Sequence, residues 1–284
     1  MTTNFKYRPF LYFIITFAAT FALLFAGAYV SHRDDLSELT MAFIVPGMCA
    51  PFLISLVMVL TSKNRPLIKD FLNRLWNPKL VNPKMLPVIL LLMPFTVLLS
   101  IVISLPFGGS VDQFQFANGF SFSAGAFPVL LLLFMAATFE ELGWRGYAFD
   151  SLQSRYSFLT AAIVFSVLWS LWHLPMLWVK DSYQYEILHQ NVWFAVNFFV
   201  SIIPMGVIIS WICVKNHKSM PAAILFHFLL NLCQEALNMT QTTKCIETLV
   251  LFVIAAVIVA MDQKLFRAQQ PAVRVPVLEQ PVVS

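Results

Sequence analysis

The chain has 284 residues, of which 59% are hydrophobic and only 11% charged, with a mean hydropathy of +0.77 and a net charge of +4. Soluble domains carry roughly a quarter charged residues, so there is too little polar surface to coat a globule in water, and lipid must solvate most of this chain. The positive excess belongs to loops beside a membrane rather than to a nucleic-acid surface. Cys49, Cys213, Cys233 and Cys245 lack CxxC spacing and read as reduced structural thiols. The first apolar run has the length of a membrane segment and lacks a small-residue cleavage site, so no removable signal is expected.

In chain order, the apolar runs are Pro9–Val30, Leu39–Thr61, Leu86–Leu105, Phe127–Leu142, Phe158–Val179, Val192–Val214, Pro221–Leu237 and Thr248–Met261. A span needs about 20 mostly apolar residues and must satisfy its own backbone hydrogen bonds. These runs predict an all-α, polytopic transmembrane bundle of about eight spans. The fourth, seventh and eighth are the shortest. With the N-terminus in the cytoplasm, fifteen of the eighteen Lys and Arg fall inside, and only Arg33, Lys180 and Lys244 fall outside. That bias predicts both termini in the cytoplasm. Between the second and third runs, Leu67, Ile68, Phe71, Leu72, Leu75 and Trp76 recur at helical spacing. The stretch 64–77 therefore reads either as an amphipathic interfacial helix or as a basic connector. Residues 1–267 form one domain. The Pro- and Val-rich 268–284 predict a disordered cytoplasmic tail.

An ionisable side chain inside the bilayer is costly and marks function by default. Glu140, Glu141, His173, His227 and Glu235 are such groups, with Asn231 as a polar companion. From the expected cytoplasmic ends, Glu140 lies roughly 13 Å deep, His173 roughly 20 Å, and His227 and Asn231 roughly 9 to 15 Å. Glu141 and Arg145 are four apart and can pair, whereas Glu140 points about 100° away from Glu141. A structural Glu141–Arg145 pair and a reactive Glu140 follow. His227 and Asn231 share a helix face.

Glu140 as a general base, His173 as its helper, and His227 with Asn231 as oxyanion donors would suit hydrolysis of an amide or ester. Glu140, His173 and His227 could alternatively bind Zn²⁺, although their spacing is not HExxH. A proton-coupled transporter or a non-enzymatic membrane scaffold is the competing class. Glu235 stays outside the set.

The stretch Glu140–Arg145, EELGWR, resembles the EExxxR motif of the CPBP intramembrane proteases, which include the type II CAAX prenyl endopeptidases. Trp169 to His173 resembles their FxxxH motif, with Trp in place of Phe, and His227 to Asn231 their HxxxN motif. The resemblance covers about 127–237. It implies a cavity open to cytoplasm and bilayer, water activated by Glu140 and His173, an oxyanion held by His227 and Asn231, and support from Glu141 and Arg145. It implies removal of the last three residues of a prenylated CAAX protein, and the protein is expected in the cell membrane. Glu140 acting as a base needs no cofactor, whereas the alternative reading would use Zn²⁺. Bacteriocin processing or immunity and protein anchoring are other roles in that family.

Overall fold

In the computed structural model, residues 5–117 and 129–269 are described. Among them the chain is helical, with one isolated antiparallel bridge between Phe116 and Leu237 and no strand. The helices are α1 (Pro9–Ser31), α2 (Thr40–Thr61), α3 (Arg65–Trp76), α4 (Leu86–Ser104), α5 (Val129–Gly143), α6 (Phe149–Gln153), α7 (Phe158–Trp172), α8 (Tyr183–Gln190), α9 (Val192–Lys215), α10 (Met220–Ala236), α11 (Gln241–Met261) and α12 (Gln263–Arg267). The expected tail lies outside the described residues from position 270, and the start of the expected fourth span falls outside them too.

Six helices among the described residues are long and apolar enough to cross a membrane: Pro9–Ser31, Ser37–Thr61, Pro83–Phe107, Phe158–Trp178, Val192–Lys215 and Gln241–Met261. The two other expected spans are shorter. α10 has 17 residues. α5 has 15 residues, but a π-helical segment, Trp144–Ala148, carries it without interruption into α6. The eighth run begins earlier than its apolar stretch, because Lys244 and Glu247 are built into the first turns of α11.

Polar contacts sort the loops into two ends. At one end, the Arg8 N–H donates to the Tyr147 hydroxyl at 3.0 Å, the Asn82 N–H donates to Asn216 Oδ1 at 2.8 Å, and Lys215 pairs with Asp262 at 2.7 Å. Arg74 pairs with Asp150 at 2.5 Å, and Lys218 meets the other oxygen of Asp150 at 2.9 Å. Burial alone would raise the Asp150 carboxyl, but Lys218 and Arg74 outweigh it and hold it below its usual range. At the opposite end, the Lys180 N–H donates to Ser31 Oγ at 3.0 Å and the Thr240 N–H donates to Gln113 Oε1 at 3.0 Å. The segments that charge groups together are thus together in space.

α3 forms over the residues its periodicity predicts. Asn64 caps it by accepting from the Leu67 N–H at 3.0 Å. Its inner face buries Leu67 and Phe71 in the main core and sends Arg74 to Asp150, while Leu72 and Trp76 stay exposed. It therefore seals the basic end of the bundle.

Close helix approach fixes the segment that carries the carboxylates. A Cβ on Gly143 would collide with the backbone of Pro51 in α2, and one on Gly146 would come within 2.7 Å of the Phe71 ring. Glycine lets α2 and α3 press directly on the turn that follows Glu140 and Glu141.

Candidate active site

Glu140 and Glu141 end α5 just before the π-helical segment. An extra residue in a helical turn redirects side chains, and such bulges recur at functional sites. Glu140 is 4% exposed. Its Oε2 accepts the indole N–H of Trp169 at 2.7 Å and, more weakly, that of Trp144 at 3.4 Å. Both indoles belong to the core: Trp144 stacks edge-on against Trp172 and Phe165, and Trp169 lies parallel to Phe165. The position of Glu140 is therefore set by rigid aromatic packing.

Glu141 is fully buried and serves two partners. Arg145 Nε lies 3.2 Å from Oε2, and Arg145 Nη1 donates to Oε1 at 3.3 Å. His227 Nδ1 donates to Oε1 at 2.9 Å. The guanidinium also stands 4.5 Å from the centre of the Phe165 ring. The Glu141–Arg145 pair expected from sequence is present. Its link to His227 was not visible in the spacing, because 86 residues separate the two.

His173 caps the end of α7, and its Nδ1 lies 2.9 Å from the Trp169 carbonyl oxygen. A carbonyl only accepts, so Nδ1 carries the proton and Nε2 of the neutral ring presents a lone pair. Trp169 thus contacts both groups, bonding to Glu140 through its side chain and to His173 through its backbone. The expected span through Val179 is present as Phe158–Trp178, but it changes at His173 from α-helix to a 3₁₀ turn, Leu174–Trp178, with Pro175 at its start.

Glu140, His173, His227 and Asn231 all line one hollow of about 340 Å³. The apolar lining includes Met48, Leu133, Phe194 and Phe198. Sequence reasoning passed over Trp144 and marked Trp169 only as the aromatic of the FxxxH-like motif, not as a group that holds Glu140. The available signal was spacing: Trp144 lies four residues after Glu140, and Trp169 four before His173. It also set aside Glu235, which borders the hollow but is an exposed residue. Among the described residues, no three His, Cys, Asp or Glu side chains are grouped closely enough to hold a metal ion, and the four cysteines are unpaired.

The outer rim of the hollow includes Tyr183, Gln184 and Lys244, at the end opposite the basic loops. The basic end is closed by α3 and the buried Arg74–Asp150–Lys218 network. These rim residues therefore lie at the end opposite Arg8 and Asp262, near which the described chain begins and ends.

Membrane-length helices around a buried carboxylate, two imidazoles and an amide have the build of an intramembrane hydrolase. Residues 122–233 match the family described as type II CAAX prenyl endopeptidase Rce1-like. The chain is also 58% identical over 266 residues to CAAX prenyl protease 2 of Methanococcus maripaludis, a match covering 94% of this chain and 98% of that protein. The chain belongs to the type II CAAX prenyl endopeptidase family, and it is an integral membrane peptidase.

Proposed function

We propose that the protein removes the C-terminal tripeptide of prenylated CAAX-type proteins with a water molecule activated by Glu140. The observation that carries this reading is the convergence of Glu140, His173, His227 and Asn231, from three separate helical segments, on one buried hollow. Glu140 takes a proton from water while His173 Nε2 accepts the second water hydrogen and fixes its direction. The water oxygen attacks the scissile carbonyl carbon. The carbonyl oxygen becomes negative and meets the Asn231 amide and His227 Nε2. Because His227 Nδ1 donates to Glu141, Nε2 can also donate only in the imidazolium form, and the Glu141 carboxylate stabilises that charge. The C–N bond then breaks, and Glu140 returns its proton to the leaving amine. No metal takes part in this sequence.

The hydrophobic tail supplies binding energy for such a substrate. Each buried CH₂ of a prenyl chain adds about 0.8 kcal/mol, which concentrates the peptide beside an apolar-walled hollow. We further propose that the rim faces the cytoplasm of the cell, where prenylated C-termini would be presented at the cell membrane. Incubating the purified protein with a farnesylated CAAX peptide tests the reading by mass spectrometry. Release of an intact tripeptide supports it, and an unaltered peptide rejects it. Dialysis against a strong chelator should leave the rate unchanged; zinc bound in stoichiometric amount and lost together with activity would establish a metalloenzyme instead.

A further inference from the structure

The hollow holds a second polar group that water activation does not use. Lys244 and Glu247, on the first turns of α11, line it together with Gln234 of α10 and Tyr183 of α8. Glu247 is 1% exposed and accepts from Gln234 Nε2 at 2.9 Å. Lys244 is half-buried; its Nζ donates to the Tyr183 hydroxyl at 3.2 Å and lies 4.7 Å from the centre of that ring. Among the described residues Lys244 is the one Lys or Arg lining the hollow, and it takes part in no ion pair. An ammonium has three N–H donors, so two remain after Tyr183 is served.

Glu235 and Glu247 share the hollow with Lys244, but among the described residues no carboxylate stands within ion-pair distance of its ammonium, which leaves those donors for an incoming anion. A peptide cut three residues from its end brings such an anion, its terminal carboxylate, about 10 Å beyond the scissile bond when extended. Glu140, Glu235 and Glu247 all line the hollow and would repel that carboxylate. Lys244 offers the compensating charge, and it stands toward the rim while Glu140 and His227 are buried. We propose that Lys244, steadied by Tyr183, binds the α-carboxylate of the substrate's last residue and so sets the distance from the chain end at which cleavage occurs. The proposal rests on the endopeptidase reading above.

The test compares kcat/KM for one farnesylated peptide as the free acid and as the C-terminal amide. Wild-type protein should favour the acid by about tenfold, the scale of one partly exposed charge-assisted contact. Lys244→Met should cleave acid and amide alike, through a raised KM for the acid, with the melting temperature unchanged. Lys244→Arg should restore the preference, and Lys180→Met, at the same end but away from the hollow, should keep it. Equal cleavage of acid and amide by wild-type protein overturns the carboxylate site alone. So does a Lys244→Met protein that retains the preference or cleaves neither peptide. Wild-type protein that cleaves neither form overturns the endopeptidase reading and this inference with it.

Discussion

The indole N–H of Trp169 donates to Oε2 of Glu140 at 2.7 Å, with both side chains buried. A hydrogen bond to a charged group contributes about 1.5 to 3 kcal/mol, and this one aims the carboxylate. Trp169→Phe keeps the aromatic packing and removes the donor. We expect kcat to fall about tenfold with KM little changed, read in a peptide-cleavage assay. An unchanged kcat would mean that Trp144 and packing suffice to place Glu140.

Glu141 joins Arg145 to His227 with no exposed surface. Glu141→Ala would leave the buried Arg145 charge unanswered, at a cost of about 3 to 5 kcal/mol. Thermal melting in detergent should drop by several degrees, and activity should fall with it because His227 loses its orienting partner. Retained stability and turnover would show that Arg145 and His227 do not depend on this carboxylate.

Gly143 packs against the Pro51 backbone, which cannot move aside as a side-chain tip could. Gly143→Ala should therefore destabilise the protein by at least about 1 to 3 kcal/mol. The loss should appear as a lower melting temperature even though alanine is the better helix former.

Asp150, with Arg74 and Lys218, closes the basic end, and its folded pKa lies below its ordinary value despite burial. A depressed carboxylate stabilises the fold fully above its unfolded pKa of about 3.9 and loses that contribution as pH falls toward the folded value. Melting temperatures should hold from pH 7 to about 5 and then decline below about pH 4. Asp150→Asn should lower stability by about 3 kcal/mol at pH 7 and flatten the acid decline. A parallel acid decline in the variant would assign it to other groups.

Much of this was legible in the sequence. Long apolar runs announce helices because lipid leaves the backbone no other partner, and α3 appears over Arg65–Trp76 as its periodicity implies. The three motifs mark side chains that do share a hollow. The rest depended on contacts that spacing does not encode. The π-helical segment after Glu141 arises where α2 and α3 crowd Gly143 and Gly146. The Glu141–His227 bond and the Trp169–Glu140 bond cross between helices. The start of α11 was hidden because Lys244 and Glu247 interrupt its hydropathy, yet both turn toward the hollow rather than toward lipid. Loop charges grouped the segments at each end but gave no sign that α3 seals the basic one.

The proposed cytoplasmic rim sets an orientation that can be tested. With the hollow open to the cytoplasm, Arg33 shares that side and Lys63 faces outward, against the bias of fifteen Lys and Arg to three. Single cysteines at these two positions, treated on intact cells with an impermeant maleimide, should label at position 63 and not at 33. The reverse pattern would place the termini in the cytoplasm and the rim outside.

Turnover of a farnesylated CAAX peptide by purified Glu140→Gln protein tests the central assignment most directly. The exchange keeps size and packing but leaves no carboxylate to take a proton from water. Tripeptide release should fall by at least about a hundredfold, with a melting temperature matching wild type. Wild-type turnover by Glu140→Gln would contradict a glutamate-activated water and move the base elsewhere in the hollow.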